Sequence, residues 1–228
     1  MGRQLNYRDY WEANIDKWGD YYFDISHGQE ELSGPRWCSQ LYRRIIGKLE
    51  RKLMVDRYRR TIAFLDAHIK PGVIFSDVGC GTGIFVVEAL RRGAIVNAID
   101  FAQSALEITQ DRVNKYASTG VVTYYPLDVR QQALPRSDVT LAMGLAPYVA
   151  ELEPFFANVL ANTKLMYCLY VDPSHWANRI RTLLPALNVR HLQFHRPHDV
   201  DLLYARHNWQ LIERQKFATG YLDLAKAA

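Results

Sequence analysis

The sequence predicts an α/β fold in which helices cover both faces of one mostly parallel sheet. Strand-sized apolar runs alternate with helical stripes along residues 73–172, an order that requires crossover connections between parallel strands. A glycine-rich turn at residues 79–83 joins the first of these strands to the first helix. The 228 residues are 49% hydrophobic and 23% charged, which is enough apolar material for one sizeable core.

Residues 1–70 are predicted to form a helical N-terminal cap or lid, and residues 71–228 the main domain. Within residues 39–60, leucine and isoleucine recur at every fourth position from Leu41 to Leu53, as in an amphipathic helix with a basic outer face. A second, shorter helix is expected over residues 62–70, because Pro71 restricts the residue before it.

The period of the apolar pattern then predicts the remaining elements in order. Strands are expected over residues 73–78, 94–99, 121–127, 139–143 and 165–171, and helices over 84–90, 102–113 and 154–160. After them follow a helix over 175–184, an irregular proline-rich stretch to residue 197, a helix over 200–207, and strands over 209–217 and 221–224. Only three residues connect the last two strands, which predicts a terminal antiparallel hairpin.

The glycine-rich turn is the most informative motif. The segment Asp77-Val78-Gly79-Cys80-Gly81-Thr82-Gly83 places three glycines at alternate positions where a strand becomes a helix. Glycine permits backbone angles and a close ligand approach that a side chain would block, so the turn indicates a nucleotide-like ligand. A dinucleotide fingerprint would need glycine where this chain has Ile84, and no Gly-Lys-Ser/Thr follows as in a P-loop.

This segment resembles the first motif of the class I S-adenosylmethionine (SAM) dependent methyltransferases. The resemblance implies a Rossmann-like αβα sandwich, a seven-stranded sheet, SAM as the cofactor and S-adenosylhomocysteine as its product. It implies that Asp77 binds the amino group of the methionine portion. It also implies that the backbone of the turn passes along the cofactor, with contacts from Gly79, Cys80, Gly81 and Gly83. A carboxylate beside a cation is physically favourable, which is consistent with this assignment.

Two further acidic residues follow the next two strands. By the same resemblance, Asp100 binds the ribose hydroxyls and Asp128 accepts from the adenine amino group. Phe101 is expected to pack on the adenine and the backbone of Val129 to meet a ring nitrogen. Met143, which ends the fourth strand at the same sheet edge, is a further expected cofactor contact. The alternatives are acidic residues that close strands or turns, and simple core packing for Phe101.

The N-terminal aromatic residues are expected to cover the cofactor. Trp18 and Tyr21, with Trp11 and Tyr22, offer aromatic faces to which a sulfonium is attracted, although they could equally pack helices together. In layout this segment is similar to the lid of small-molecule O-methyltransferases of the magnesium-protoporphyrin and ubiquinone biosynthesis type.

The stretch after the fourth strand bears on the methyl acceptor. Methyltransferases that act on nucleobase amino groups carry Asp/Asn-Pro-Pro-Tyr/Phe there, whereas this chain has Leu145-Ala146-Pro147-Tyr148. A leucine side chain accepts no hydrogen bond, and a net charge of +4 is modest for a nucleic-acid partner. The predicted function is methyl transfer from SAM to a small molecule, with an acidic acceptor among the options, at oxygen and in a biosynthetic pathway. The alternatives are N-methylation of a free amine or protein side chain, and a catalytically silent SAM-fold partner subunit.

Tyr148 and His175 are the candidates to orient or deprotonate the acceptor, since methyl transfer needs alignment and sometimes a base. The histidines of residues 191–198 have metal-like spacing only if that stretch is helical, and a proline interrupts it, so no metal is predicted. Arg179, Arg181, Arg190 and Arg196 are candidates to bind an acidic acceptor, with exposure to solvent as the alternative.

Composition also predicts the setting of the protein. No apolar run approaches the roughly 20 residues that span a bilayer, and the three cysteines show no pairing pattern. We therefore expect a cytoplasmic protein without integral membrane association; the oligomeric state is left open.

Overall fold

In the computed structural model, which describes residues 48–117, 119–183 and 192–228, seven strands form one sheet in the order β3-β2-β1-β4-β5-β7-β6. The strands are β1 (Ile74–Val78), β2 (Ile95–Asp100), β3 (Val121–Pro126), β4 (Ser137–Ala142), β5 (Thr163–Val171), β6 (Trp209–Phe217) and β7 (Gly220–Ala227). The helices of these ranges are α1 (Lys48–His68), α2 (Ile84–Arg91), α3 (Gln103–Tyr116), α4 (Leu152–Leu160), α5 (Trp176–Leu183) and α6 (Pro197–Arg206), with a 3₁₀ turn over Ala146–Tyr148. Strand β7 pairs antiparallel with both β5 and β6, and the other pairs of neighbouring strands are parallel, which confirms the predicted seven-stranded, mostly parallel sheet with a terminal hairpin.

The described part of the N-terminal segment is one helix where the sequence predicted two. Helix α1 runs without a break through residues 60–62, the predicted junction. Thr61, a weak helix former, is accommodated because its hydroxyl donates to the carbonyl of Arg57 one turn earlier, at 2.9 Å. The helix ends at His68, before the turn at Pro71 and Gly72, so its C-terminal end is close to the predicted position. The division of the chain at residue 70 stays a prediction.

The sheet separates two apolar layers. One layer contains α1, α2 and α3, and there the ring of Phe64 stacks on Tyr167 of β5 with centroids 4.6 Å apart. The other layer contains α4 and α6, whose Phe156 and Tyr204 rings lie 5.1 Å apart over the second face. Helix α1 therefore covers the sheet just as the crossover helices do, and its inner side chains reach the strands.

The C-terminal elements are longer than their sequence pattern suggested. Helix α6 begins at Pro197 instead of residue 200, because a proline at the first helical position needs no hydrogen-bond partner for its nitrogen. Strand β7 continues to Ala227 because it lies between β5 and β6 and pairs with both. A Cβ at Gly220, where β7 begins, would lie 1.9 Å from the carbonyl oxygen of Tyr170, so that position requires glycine.

Two cysteines, Cys80 and Cys168, are buried free thiols, whereas Cys38 lies outside the described residues. Burial raises the pKa of both thiols, which keeps them neutral. Along the three described ranges, every helix is too short or too polar to cross a membrane.

A network of ion pairs connects α6 to the terminal hairpin. Arg214 of β6 donates to both carboxylate oxygens of Asp223 on β7, each at 2.7 Å, and to Asp201 of α6 at 2.8 and 3.2 Å. Its guanidinium also lies 4.6 Å from the ring centroid of Tyr221. Asp223 is fully buried; burial raises the pKa of this carboxyl, whereas Arg214 lowers it.

Asp223→Ala is expected to lower the free energy of unfolding by about 3 kcal/mol, because removing one partner of a buried pair leaves the other without compensation. Urea unfolding followed by circular dichroism measures this change. The matched control is Glu153→Ala, which removes an exposed carboxylate paired with Arg206 and His207 and should change stability by less than about 1 kcal/mol. Equal losses in the two variants would contradict a special role for the buried pair.

Candidate functional site

An open cleft lies where the carboxyl ends of β1, β2 and β4 meet. Strands β2 and β3 lie on one side of β1 in the sheet, and β4 and β5 lie on its other side, so the strand order reverses direction at β1. Open parallel sheets bind ligands at the carboxyl ends of the strands where the order reverses. The cleft encloses about 450 Å³ of space. The described residues that line it are Val78, Gly79, Ile99, Asp100, Phe101, Leu127, Asp128, Val129, Arg130, Leu145, Tyr148 and Val149. The structure thus brings together six residues that the sequence singled out: Gly79, Asp100, Phe101, Asp128, Val129 and Tyr148.

The glycines of the turn are required by backbone angle and by space. Gly79, Gly81 and Gly83 have φ values of 71°, 55° and 74°, the left-handed region that other residues adopt at a cost. A Cβ at Gly83 would lie 2.6 Å from Cγ2 of Thr109 on α3, and one at Gly79 would lie 3.3 Å from Cβ of Leu145. The turn can therefore pass close to both α3 and the loop after β4.

Several amide groups of the turn are satisfied within the protein. The N–H groups of Gly79 and Cys80 both donate to the carbonyl of Ile99, at 2.8 and 3.1 Å. The N–H of Gly81 donates to Oδ2 of Asp100 at 3.1 Å. A phosphate cradle needs several such amides directed at the ligand, so the geometry agrees with the missing dinucleotide and P-loop fingerprints.

The side chain of Cys80 packs against α3. Its Sγ lies 3.7 Å from Oγ1 of Thr109, whose hydroxyl also donates to the carbonyl of Gly81 at 3.0 Å. The predicted cofactor contact of Cys80 therefore concerns its backbone.

Asp77 carries an unsatisfied buried carboxylate. Among the described residues, its Oδ2 atom has no hydrogen-bond partner, although the atom is inaccessible to solvent. Burial and the neighbouring charge of Asp100 raise the pKa of Asp77 to about 8, against a lowering influence of Arg57. A buried acceptor without a donor fits a missing cationic ligand, such as the ammonium of the predicted cofactor.

Arg57 is a site residue that the sequence analysis missed. It lies on α1, and its Nη2 atom donates to the carbonyl of Met143 at 2.6 Å, at the end of β4. Gly144 follows with a φ of 97°, and a Cβ there would lie 2.7 Å from the same Nη2 atom. The apolar repeat that ends at Leu53 reaches position 57 one step later, so an arginine on the predicted buried face was the signal.

The two acidic residues after β2 and β3 already have partners within the protein. Asp100 accepts from the N–H of Ala102 at 3.0 Å through Oδ1, besides the bond from Gly81. Asp128 accepts a forked pair from Arg130, with Nε at 2.9 and 3.1 Å from its two oxygens. Both residues line the cleft. To bind a nucleoside as predicted, each carboxylate would have to accept an additional hydrogen bond or replace one of its present donors with a group of the nucleoside.

The loop after β4 is held in place by His195. The Nε2 atom of His195 lies 3.1 Å from the carbonyl of Ala146, and its backbone N–H donates to Val171 at 2.8 Å. Burial lowers the pKa of this histidine, which favours the neutral ring. The turn closes with the N–H of Tyr148 donating to the carbonyl of Leu145 at 2.8 Å, which places Tyr148 in the cleft wall.

His175, a predicted site residue, does not lie in the described cleft wall. His175 precedes α5, and its Nδ1 atom accepts from the N–H of Ala177 at 3.3 Å as a helix cap; it is absent from the lining residues. Trp18 and Tyr21 lie outside the described residues, so their predicted contacts stay predictions. Across the described parts of the chain, no three His, Cys, Asp or Glu side chains converge as a metal site would need.

Comparison with known sequences places a methyltransferase domain on this site. Residues 75–164 match a family model described as a methyltransferase domain. The ribosomal protein L11 methyltransferase of Caldanaerobacter subterraneus is 27% identical over 155 residues, which cover 68% of this chain and 44% of that protein. The magnesium-protoporphyrin O-methyltransferase of Rhodobacter capsulatus is 39% identical over 72 residues, 32% of each chain. The chain thus matches less than half the length of these two relatives.

Comparison with solved structures shows a shared fold. Magnesium protoporphyrin IX methyltransferase from Synechocystis PCC 6803 with bound S-adenosylhomocysteine has a TM-score of 0.75 and 16% identity, covering 97% of both chains. The cyclase SpnF also matches, with a TM-score of 0.61 and 14% identity over 74% of this chain and 80% of its own. Such low identities establish the architecture and leave the reaction to the residues of the site.

Asp77→Asn is expected to stabilise the unliganded protein as the pH rises. The carboxyl of the unfolded chain ionises near its ordinary pKa of 3.8, whereas the folded one stays protonated up to about pH 8, so the wild type loses stability between these values. The amide does not titrate, so the variant's advantage in free energy of unfolding should grow from about pH 4 to 8, reaching on the order of a few kcal/mol. Urea unfolding at a series of pH values measures it.

The same Asp77→Asn change should weaken SAM binding at least about a hundredfold in titration calorimetry, because a neutral amide cannot offset an ammonium group. Asp111→Asn, which alters an exposed carboxylate of α3, is the control and should change neither quantity. Unaltered SAM affinity in Asp77→Asn would remove Asp77 from the cofactor site.

Proposed function

We propose, on the premise that the chain contains a class I SAM-dependent methyltransferase domain, that it transfers the methyl group of SAM to a carboxylate oxygen of a small molecule. The cofactor of this domain supplies an electrophilic methyl group on a sulfonium. The name of the Rhodobacter capsulatus relative, which is an O-methyltransferase, supports oxygen as the acceptor atom. The observation that carries the proposal is the chemistry of the cleft wall.

The cleft wall contains few groups that could act as a base. Among the described lining residues there is no histidine, lysine or cysteine, and the carboxylates of Asp100 and Asp128 already accept hydrogen bonds. An amine or an alcohol must lose a proton during methylation, which calls for a base. A carboxylate is ionised at neutral pH and needs only alignment, so it suits this wall best.

The carboxyl end of β1 and the middle of α1 suit the amino acid portion of the cofactor. Arg57 is near enough to Asp77 to lower the pKa of its carboxyl, although burial and Asp100 raise that pKa more. A methionine portion carries an ammonium and a carboxylate, the complementary pair. We assign the ammonium to Asp77 and the carboxylate to Arg57, since arginine forms paired bonds to carboxylates.

The remaining lining residues suit the nucleoside and the acceptor. Asp100 is proposed for the ribose, and Phe101, Asp128 and Val129 for the adenine. Apolar side chains make up much of the wall, which favours exclusion of water from the transfer step. We assign Tyr148, which is held by its 3₁₀ turn, to the orientation of the acceptor.

A second candidate is N-methylation of a protein side chain. It is favoured by the name of the ribosomal protein L11 methyltransferase of Caldanaerobacter subterraneus, whose match covers 68% of this chain against 32% for the porphyrin enzyme. It requires a base for the amine, for which the described wall offers only Tyr148 besides the two hydrogen-bonded carboxylates. A silent SAM-fold subunit would bind the cofactor and transfer nothing.

Arg57→Gln should weaken SAM binding about tenfold to a hundredfold, because a charge-assisted hydrogen bond to the cofactor carboxylate is lost. The same variant should bind 5′-methylthioadenosine, which lacks the amino acid portion, as the unchanged protein does. Titration calorimetry with both ligands measures the difference.

The control for this change is Arg59→Gln on the exposed side of α1, which should leave both affinities unaltered. Binding of methylthioadenosine also reports that Arg57→Gln folds correctly. If both ligands weakened equally, Arg57 would serve the site as a whole and the carboxylate assignment would be wrong.

The acceptor class is tested with methyl-labelled SAM and a small-molecule cell extract. Label is expected in the low-mass fraction after ultrafiltration and is expected to be released as methanol by mild alkali, because methyl esters hydrolyse while N-methyl groups do not. Asp77→Asn provides the inactive control.

Alkali-stable label on protein would instead support N-methylation of a side chain. Cofactor binding without any labelled product, from extracts shown to contain carboxylic acids, would support the silent subunit.

A further inference from the structure

We propose that the outer face of α5 is a docking surface for anionic lipid headgroups, into which Trp176, Ile180 and Leu183 insert. This inference stands independently of the proposed methyl transfer. In α5 the apolar side chains face away from the protein core and a polar side chain faces it.

The apolar residues of α5 face outward. Trp176, Ile180 and Leu183 are 70%, 42% and 80% exposed. They are four and seven residues apart, so they share one face of the helix. Three large apolar side chains in one exposed stripe exceed the single exposed residues that are ordinary on protein surfaces.

A buried polar residue of α5 fixes this orientation. Asn178 is fully buried, and its Nδ2 atom donates to the carbonyls of Asp172 and Thr219, each at 2.7 Å. Turning the apolar stripe inward would break these two bonds and leave the buried amide unsatisfied. The stripe is therefore held outward by the hydrogen bonds on the opposite side of the helix.

The charges beside the stripe select an anionic partner. Arg179 is exposed next to it, and Arg181 lies on the other flank, bonded through Nη1 to Asn178 Oδ1 at 2.9 Å. The segment Trp176–Leu183 contains no acidic residue. A short helix with apolar and aromatic residues flanked by arginines has the composition of an interfacial helix that binds anionic lipids.

The size of the patch favours a lipid surface over a protein. Three partly exposed side chains offer on the order of a few hundred Å², below the roughly 800 Å² that each partner buries in a specific protein interface. Shallow insertion into the headgroup region needs only such a stripe, and tryptophan is enriched at that depth. Since α5 follows β5, contact there would turn the carboxyl edge of the sheet, which holds the cleft, toward the lipid.

The test is cosedimentation of the full chain with vesicles of phosphatidylcholine containing about one third phosphatidylglycerol. The unchanged protein is expected to bind these vesicles, to bind pure phosphatidylcholine at least about fivefold more weakly, and to dissociate as salt is added. Trp176→Ser combined with Leu183→Ser should lower the partition coefficient at least about tenfold. Arg179→Gln should lower it about threefold to fivefold on anionic vesicles only.

The matched control is Leu202→Ser, which removes a 47% exposed leucine from α6 and should leave vesicle binding unchanged. Thermal unfolding should be the same for all variants, because the replaced side chains are exposed. The proposal is overturned if the unchanged protein ignores anionic vesicles, or if the double variant binds as well as it does. It is also overturned if the stripe instead supports a concentration-dependent dimer that the double variant loses.

Discussion

The organisation of the site depends on one buried carboxylate, that of Asp77 in the central strand. Burial next to Asp100 holds its pKa far above the ordinary value, and Arg57 on α1 partly offsets this effect. The folded protein therefore carries a local cost that a cationic ligand can relieve. Binding sites commonly hold such unsatisfied groups, because the ligand then gains affinity from an interaction that the protein cannot make by itself.

This arrangement explains why α1 belongs to the site as well as to the core. Its apolar residues cover the sheet, as Phe64 does on Tyr167, and the same helix carries Arg57 to the end of β4. Gly144 leaves room for the guanidinium, and Gly79 and Gly83 let the glycine turn pass close to Leu145 and Thr109. The same helix thus contributes apolar side chains to the core and a charged side chain to the site.

The comparisons and the site chemistry answer different questions. Residues 75–164 match a family model described as a methyltransferase domain, and the structural relatives share the fold. The comparisons name both small-molecule and protein substrates, and a cyclase shares the architecture. The choice of acceptor therefore depends on local groups, and the proposed carboxylate acceptor is based on the few bases among the described residues of the cleft wall.

The sequence by itself determined the alternation of strands and helices and the glycine turn, because these follow from periodicity and from a short, contiguous motif. The cofactor class came from the resemblance of that motif to the methyltransferase family. The sequence also placed Asp100, Phe101, Asp128 and Val129 at strand ends that converge on the cleft. Only the tertiary structure showed that Arg57 reaches β4, that Asp128 is paired with Arg130 and that His175 caps a helix. It likewise showed that α5 faces outward with its apolar side. These features depend on contacts between residues far apart in the chain or on the direction of a side chain, and a local pattern specifies neither.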